Sequence, residues 1–542
     1  MPLPNKTQIS NAVENSSSFI ASQLKGYKAE TGILGPNHYS GGFCIVFPIK
    51  KGKDRKALRV WHTEISNIKE RYRLISDDIA NAKLPFLSNV EYIENGLQVG
   101  TEYVDIVLMD WIDGLPLKKH IEQVLSSANS EIDKQQQLRH LAGNLLQVFK
   151  SLHIANFAHG DLQHDNIIVK ADGSISLIDY DNFYTQSLQS IFVQTTTGYD
   201  GYQHPNKKKD LYSSKKDDYF AELVIYLSIL SFAEDFSLWD ISKDDEYALL
   251  LTNSDYLNLQ QSAVFQKIKQ FSGELPLLCD ILEEYIKLDD TNKLKPFEIL
   301  LEEKKIQFKS SATKAIRNSQ QIEVSWSIPF EAEISITKVG KGDPQVCQNT
   351  GSIKTTLDET TTYELIVQLS YGQVIKKQLT IEVFDECEIT FNADKYYIFP
   401  SIPVVLSWAV KNAKQVWLDD EKVSNVGDRI VEPSQAITYV LRAEDEFGIK
   451  EKRIDIRLLP IPQVKSLLVP APNMISNLSL SIKQPRYNVG VRFPTINLGF
   501  IKTVIPKVSS LTDLGLKVEL IMPRPISGFK RTISKLYNFI KQ

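Results

Sequence analysis

The stretch HGDLQHDNIIVKADGSISLIDYD, His159 to Asp181, decides how the chain is read. It holds five aspartates and an asparagine around two short apolar runs. Ile167–Val169 and Ser174–Ile178 read as β-strands, and Asp172-Gly173 between them is a two-residue hairpin signal. Folding about that dipeptide places Asn166 opposite Asp179 at the open end. Asp161 lies five residues upstream, on the loop leading into the first strand. Three oxygen-bearing side chains are thus expected to converge. Such groups repel unless a cation or a proton neutralises them. Carboxylate and amide oxygens suit Mg²⁺, which keeps substrate phosphates in its shell. A carboxylate beside such an ion can accept the proton of an attacking hydroxyl. An acidic hairpin with no metal is the plain alternative.

HGDLQHDN followed by IDYD resembles the catalytic loop and metal-binding motif of the protein kinase-like superfamily, written H-R-D-L-x-x-x-N and D-F-G. The resemblance is to its bacterial eukaryotic-like (Hanks-type) members. It implies ATP and Mg²⁺ as cofactors, Asp161 as catalytic base, and Asn166 and Asp179 as metal ligands. Gln163 stands where protein kinases place a phosphate-facing lysine, and Asp181 replaces the glycine of D-F-G. Asp218, opening DYFAELVIYLSIL, resembles the aspartate that anchors the catalytic loop from beneath.

Other segments extend the resemblance over about residues 30 to 307. YSGGFCIVFPI (Tyr39–Ile49) reads as two strand fragments around a Gly-rich turn, with Gly41 and Gly42 as phosphate-cradling candidates. KALRVW (Lys56–Trp61) resembles the V-A-I-K strand, with Arg59 at the lysine position. That exchange is not conservative, because arginine is planar and always charged. Glu70 is the expected helix partner of Arg59 and Glu64 the second choice. Lys56 is an alternative in a shifted register. IVLMDWIDGLPL resembles the last strand of a small lobe and its hinge, so Met109, Asp110 and Ile112 are expected around adenine. Thr195, Thr196 and Thr197 lie in a segment whose length suits an activation loop. GYQHP stands where A-P-E is usual, without that motif's glutamate.

The 542 residues are 42% hydrophobic and 24% charged, enough for several domains with ordinary cores. The longest apolar run, from Leu223, is too short to cross a bilayer, and no signal peptide is expected at the start. Cys44, Cys279, Cys347 and Cys387 form no CxxC pair. Their sparseness favours a reducing, cytoplasmic compartment. A Cys347–Cys387 bridge stays open.

From residue 320 period-2 patterns take over and repeat. VSWSI (Val324–Ile328) returns as LSWAV (Leu406–Val410), and Tyr363–Gly372 matches Tyr439–Gly448 in spacing. Each copy is long enough for a small seven-stranded sandwich, with Trp326 and Trp408 in the cores. The copies resemble bacterial immunoglobulin-like modules. From Ile461 there are 12 Lys or Arg against 2 Asp or Glu, which leaves a net of −14 on the rest of the chain. The terminal SGFKRTISKLYNFIKQ puts Phe529, Ile533, Leu536, Tyr537 and Ile540 on one helical face. Such a tail suits an anionic partner or a membrane surface. Nucleic-acid motifs are absent.

The expected fold is therefore an α+β bilobal protein kinase-like domain followed by all-β immunoglobulin-like sandwich modules. The boundaries are 1–29 lead-in, 30–307 catalytic domain, 318–385 and 388–460 sandwiches, and 461–542 basic tail. The expected function is a serine/threonine protein kinase with a protein substrate. By family analogy, a phosphatase or a von Willebrand A-type protein is a partner. The alternatives are a pseudokinase scaffold and a small-molecule kinase of the aminoglycoside or choline kinase type.

Overall fold

A computed structural model describes residues 3–191, 198–207 and 212–461. Thr195–Thr197 and the basic tail from residue 462, with its Phe529–Ile540 helix face, lie outside the described residues. The chain is mixed α and β, and its strands dominate the C-terminal half. It divides into two compact units. The first is Met1–Thr313, Gln321–Thr356 and Thr360–Ile381. The second is Lys314–Gln320, Leu357–Glu359 and Glu382 onward.

The first unit opens with an antiparallel sheet ordered Lys28–Ala29, Cys44–Lys51, Asp54–Trp61, Glu102–Asp110, Val90–Val99. Its strands alternate, because successive side chains face opposite ways. Phe47, Leu58, Val60, Ile106 and Leu108 form a core with helix α1 (Lys6–Glu14). Trp61, Val107 and Met109 face the other way, into a core shared with helix α2 (Ile68–Ala82). The expected lead-in is thus part of the fold: Ile9, Val13, Leu24 and Tyr27 are buried there.

Helices α3 (Leu117–Ser126), α4 (Glu131–Ala155) and α5 (Tyr219–Glu234) follow. Every residue of α5 from Tyr219 to Ala233 is buried. An all-round apolar helix of this length is the centre of a core, not a surface element. Among the described residues no helix is long and apolar enough to cross a membrane. His153 of α4 is held between two buried carboxylates, Glu222 at 2.9 Å and Glu298 at 2.7 Å. Burial alone would lower its pKa, but the two carboxylates outweigh burial and lift it to about 10.

The repeat in the sequence is a repeat in topology. Strand Gln307–Ser310 pairs with Gln321–Ser327, which pairs with Thr350–Thr356. A second sheet has five strands, with Lys314–Ile316 parallel to Glu382–Phe384. The later copy has the same division: a three-stranded sheet of Glu388–Ala393, Val404–Lys411 and Val426–Val431, and a five-stranded sheet beginning with Tyr397–Ile398. Each copy therefore has eight strands rather than seven, and the first begins at Gln307 rather than 318. The extra strand is a short parallel edge piece that strand periodicity does not reveal. In the later copy both sheets share one core around Trp408. All four cysteines are free, including Cys347 and Cys387.

One contact recurs in both copies. Trp326 is the register partner of Gly351, and its Nε1 donates to the Gln348 carbonyl at 2.9 Å. Trp408 is the partner of Gly427 and donates to the Ser424 carbonyl at 2.8 Å. A Cβ on either glycine would meet the indole, at 2.6 Å for Gly351 and 2.7 Å for Gly427. The indole lies flat over the facing strand, and only glycine leaves it room. Gly351→Ala and Gly427→Ala should each cost about 1–3 kcal/mol by overpacking. Urea melts followed by tryptophan fluorescence would measure this, and an unchanged midpoint would refute it.

Candidate active site

The site is built from the turn that leaves α4. Gly160 takes φ +79, and a Cβ there would lie 2.1 Å from the Asn182 carbonyl oxygen. Only glycine permits this approach. The chain is pinned on both sides: Ala158 and Tyr184 exchange backbone hydrogen bonds of 3.1 and 2.8 Å. Asp218, at the start of α5, accepts from the backbone N–H groups of His159 and Gly160, the latter at 2.9 Å. Burial and the nearby Glu222 push its carboxyl up to about 7. The buried His159 ring meets the Ile178 carbonyl through Nε2 at 2.7 Å. Asp218 is thus a positioning residue, as its place in the sequence suggests.

The hairpin differs from expectation by one residue. Lys170 and Ser174 close it, with the Lys170 N–H donating to the Ser174 carbonyl at 2.9 Å. The turn is Ala171-Asp172-Gly173, with Gly173 at φ +80. A three-residue turn ending in left-handed glycine is favoured in hairpins. Its third residue slips the register, so Ile167 faces Leu177. Asn166 therefore faces Ile178, whose N–H donates to the Asn166 carbonyl at 3.0 Å. Asp179 lies one step beyond, at φ +67. Aspartate tolerates this conformation better than most residues.

There Asp179 meets Arg59. The guanidinium is 4% exposed, and its Nη1 donates to Asp179 Oδ1 at 2.9 Å. Nη2 pairs with Asp181, whose other oxygen accepts from the Tyr72 hydroxyl at 2.6 Å. The two departures from the kinase motifs, Arg59 and Asp181, are therefore complementary partners. A planar fork serves two carboxylates where a lysine would offer one point charge. Desolvation pushes the Asp179 carboxyl up, but Arg59 outweighs it and holds the pKa below the usual range. The Asp179 side chain stays 44% exposed.

Glu70 is not brought to Arg59. It is 59% exposed, in the first turn of α2, and pairs with Arg73. Nor does Lys56 stand in. Its strand parity puts it on the face opposite Arg59, and it pairs with Asp110. Met109 is buried in the α2-side core. Trp111 N–H donates to the Arg55 carbonyl at 3.3 Å, and Ile112 follows it on the way to α3. At the Gly-rich turn, Gly41 N–H donates to the Cys44 carbonyl at 2.9 Å. Lys6 reaches back from α1 to Ser40 Oγ at 2.6 Å, a contact with no signal in the motif. A Cβ on Gly42 would meet nothing within 4 Å, so packing does not require glycine there.

Asn166 Nδ2 donates to the Asp161 carbonyl at 2.8 Å, which leaves its Oδ1 as the acceptor end. Among the described residues Asp161 Oδ1 and Gln163 Oε1 are buried without a hydrogen-bond partner. Burial, then the charge of Asp179, push the Asp161 carboxyl up to about 6, with Lys207 pulling the other way. Among the described residues no group of three or more His, Cys, Asp or Glu could hold a metal alone. One carboxylate plus one amide oxygen is still a donor set that Mg²⁺ accepts when phosphates complete it.

Arg59→Met should leave Asp181 buried with the Tyr72 hydroxyl but without its cation, and Asp181→Leu should leave the buried Arg59 with Asp179 alone. A double-mutant cycle on unfolding free energy should give a coupling of about 2 kcal/mol or more. Additive single effects would show that the pair is not formed.

No protein-family model matches the chain. It is 33% identical over 165 residues to an uncharacterized protein of Ruminiclostridium cellulolyticum, covering 29% of this chain and 44% of that one. It is 26% identical over 115 residues to a putative uncharacterized protein of Dictyostelium discoideum, covering 20% of this chain and 11% of that one. The chain spans less than half the length of these relatives, and their names assign no function.

Proposed function

We propose that the chain is an ATP- and Mg²⁺-dependent phosphotransferase with a bilobal protein kinase-like domain, acting on serine or threonine hydroxyls of proteins. Two immunoglobulin-like modules follow that domain. The observation that carries the reading is the approach of a raised carboxyl, Asp161, on the turn after α4, to a depressed and half-exposed one, Asp179, beyond the hairpin, close enough for the Asp179 charge to act on Asp161. Two carboxyl groups with opposed shifts divide the labour of an acid–base site.

Asp161 accepts the proton as the substrate hydroxyl bonds to the γ-phosphorus of ATP and the bond from that phosphorus to the β,γ-bridging oxygen breaks, releasing ADP. Asp179 and the Oδ1 end of Asn166 are the oxygens that would hold Mg²⁺, which supplies charge neutralisation when bound. Arg59 fixes Asp179 from the sheet side, and Asp218 fixes the loop that carries Asp161. Met109 and the Asp110–Ile112 backbone lie where the adenine is placed in this reading, with Gly41 and Gly42 over the phosphates. The scaffold reading is favoured by one observation: the Arg59 guanidinium is already shared between two carboxylates.

Asp161→Asn in the full chain should lower transfer of label from γ-labelled ATP to protein by about 10²–10⁴-fold, with the melting temperature unchanged. Asp161 must be deprotonated to act, so wild-type activity should rise with pH through about 6 and then level off. Undiminished transfer by the variant would remove the proposed role. Nucleotide binding without transfer by the wild type would select the scaffold. Label on a metabolite instead of protein would select the small-molecule kinase.

A further inference from the structure

A cavity of about 560 Å³ lies in the first unit, among Tyr184–Ser190, the Gln203–Lys207 turn, the 213–217 turn before α5, and Thr291–Leu294. Three lysines line it, and each donates to a neutral acceptor. Lys207 meets Gln203 Oε1 at 2.7 Å, Lys215 meets Asn156 Oδ1 at 3.0 Å, and Lys216 meets the Asn292 carbonyl. Among the described residues none of the three has a carboxylate at ion-pair distance. Among the described residues of the wall Asp217 is the one acid, and its partners include the Ser214 N–H at 2.8 Å and the Ser214 hydroxyl at 3.0 Å. Ser213 also lines the cavity. It is 5% exposed, and its hydroxyl has no hydrogen-bond partner among the described residues. A buried donor without an acceptor costs about 1–3 kcal/mol unless a ligand supplies one.

The cavity adjoins the site described above through one side chain. A Cβ on Gly198 would lie 2.6 Å from Asp161 Oδ1 and 2.7 Å from Gln203 Nε2. Gln203 Nε2 and Asp161 Oδ1 thus both lie against Gly198, and Gln203 Oε1 accepts from Lys207.

We propose that this cavity binds a phosphoryl or carboxylate side chain of an acidic polypeptide substrate, with the acceptor hydroxyl at Asp161. The inference rests on the phosphotransferase reading for the second half of that sentence, and on the cavity alone for the first. Three cations and a hydroxyl donor match an anionic group with several acceptor oxygens. A polypeptide fits better than a nucleic acid. The chain up to residue 460 carries a net −14, which repels a long polyanion more than a short acidic segment. The lysines also surround one cavity rather than forming a stripe along a backbone.

The test is fluorescence anisotropy with a labelled phosphothreonine peptide, its unphosphorylated twin and a short single-stranded RNA. The full chain carries Asp161→Asn, so no turnover intervenes. The phosphopeptide should bind in preference to its twin. Lys215→Ala with Lys216→Ala should weaken it about tenfold or more, which corresponds to roughly 1.4 kcal/mol. Ser213→Ala, a small change in a buried position, should weaken it about threefold or more, with the free protein's thermal stability not lowered. Equal binding of the two peptides, or indifference to both variants, would overturn the site. RNA displacing the phosphopeptide with the same lysine dependence would overturn the polypeptide assignment. Absence of label transfer by the wild type would sink the phosphotransferase reading and leave this binding result standing.

Discussion

A guanidinium buried between two carboxylates holds the first unit's chemistry together. Arg59 reaches from the centre of the N-terminal sheet to Asp179 and Asp181, on the stretch after the hairpin. Burying charge costs several kcal/mol per ion, and only close pairing with full hydrogen bonding offsets that. Here Nη1 and Nη2 each take a carboxylate and the Tyr72 hydroxyl takes the remaining Asp181 oxygen, while the buried Nε has no hydrogen-bond partner among the described residues. A lysine at position 59 could neutralise one carboxylate and would leave the other buried beside it. Arginine at one position and aspartate at the other make sense only as a pair.

The opposite wall of the site rests on backbone economy. Asp218 satisfies two buried N–H groups of the His159–Gly160 turn, and Gly160 gives up its side chain so that the Asn182 carbonyl can approach. These contacts fix where Asp161 projects from. Burial then does the electrostatic work: it raises Asp161, while the clamp lowers Asp179. Side chains with similar intrinsic acidity are separated by their surroundings, which is the requirement for one to take protons and the other to stay charged.

Much of this is legible in the order of residues, and the failures are physical. The Asp161, Asn166 and Asp179 grouping follows from two short apolar runs around a turn. Its register does not, because Asp-Gly suits a two-residue turn as well as the end of a three-residue one. The pattern suggests a helix glutamate on α2 as the partner of Arg59. Nothing in a linear pattern says that Asp181, more than a hundred residues away, is the closer charge. Strand parity could have excluded Lys56, since it lies an odd number of residues from Arg59. The α1 helix hides behind a short amphipathic segment of only nine residues, and its capping asparagine, Asn5, is its one clear local signal. In the β-rich half, the tryptophans announce the repeat, yet the glycines that face them are visible only once register is known.

Nucleotide binding tests the account most directly. Isothermal titration of the purified full chain with ATP should give a saturable isotherm in Mg²⁺ that disappears in excess EDTA. Asp179→Asn, which keeps the shape but not the charge that Arg59 and a cation share, should abolish the Mg²⁺-dependent heat. Binding of equal strength without a divalent ion, or unaltered in that variant, would contradict the account.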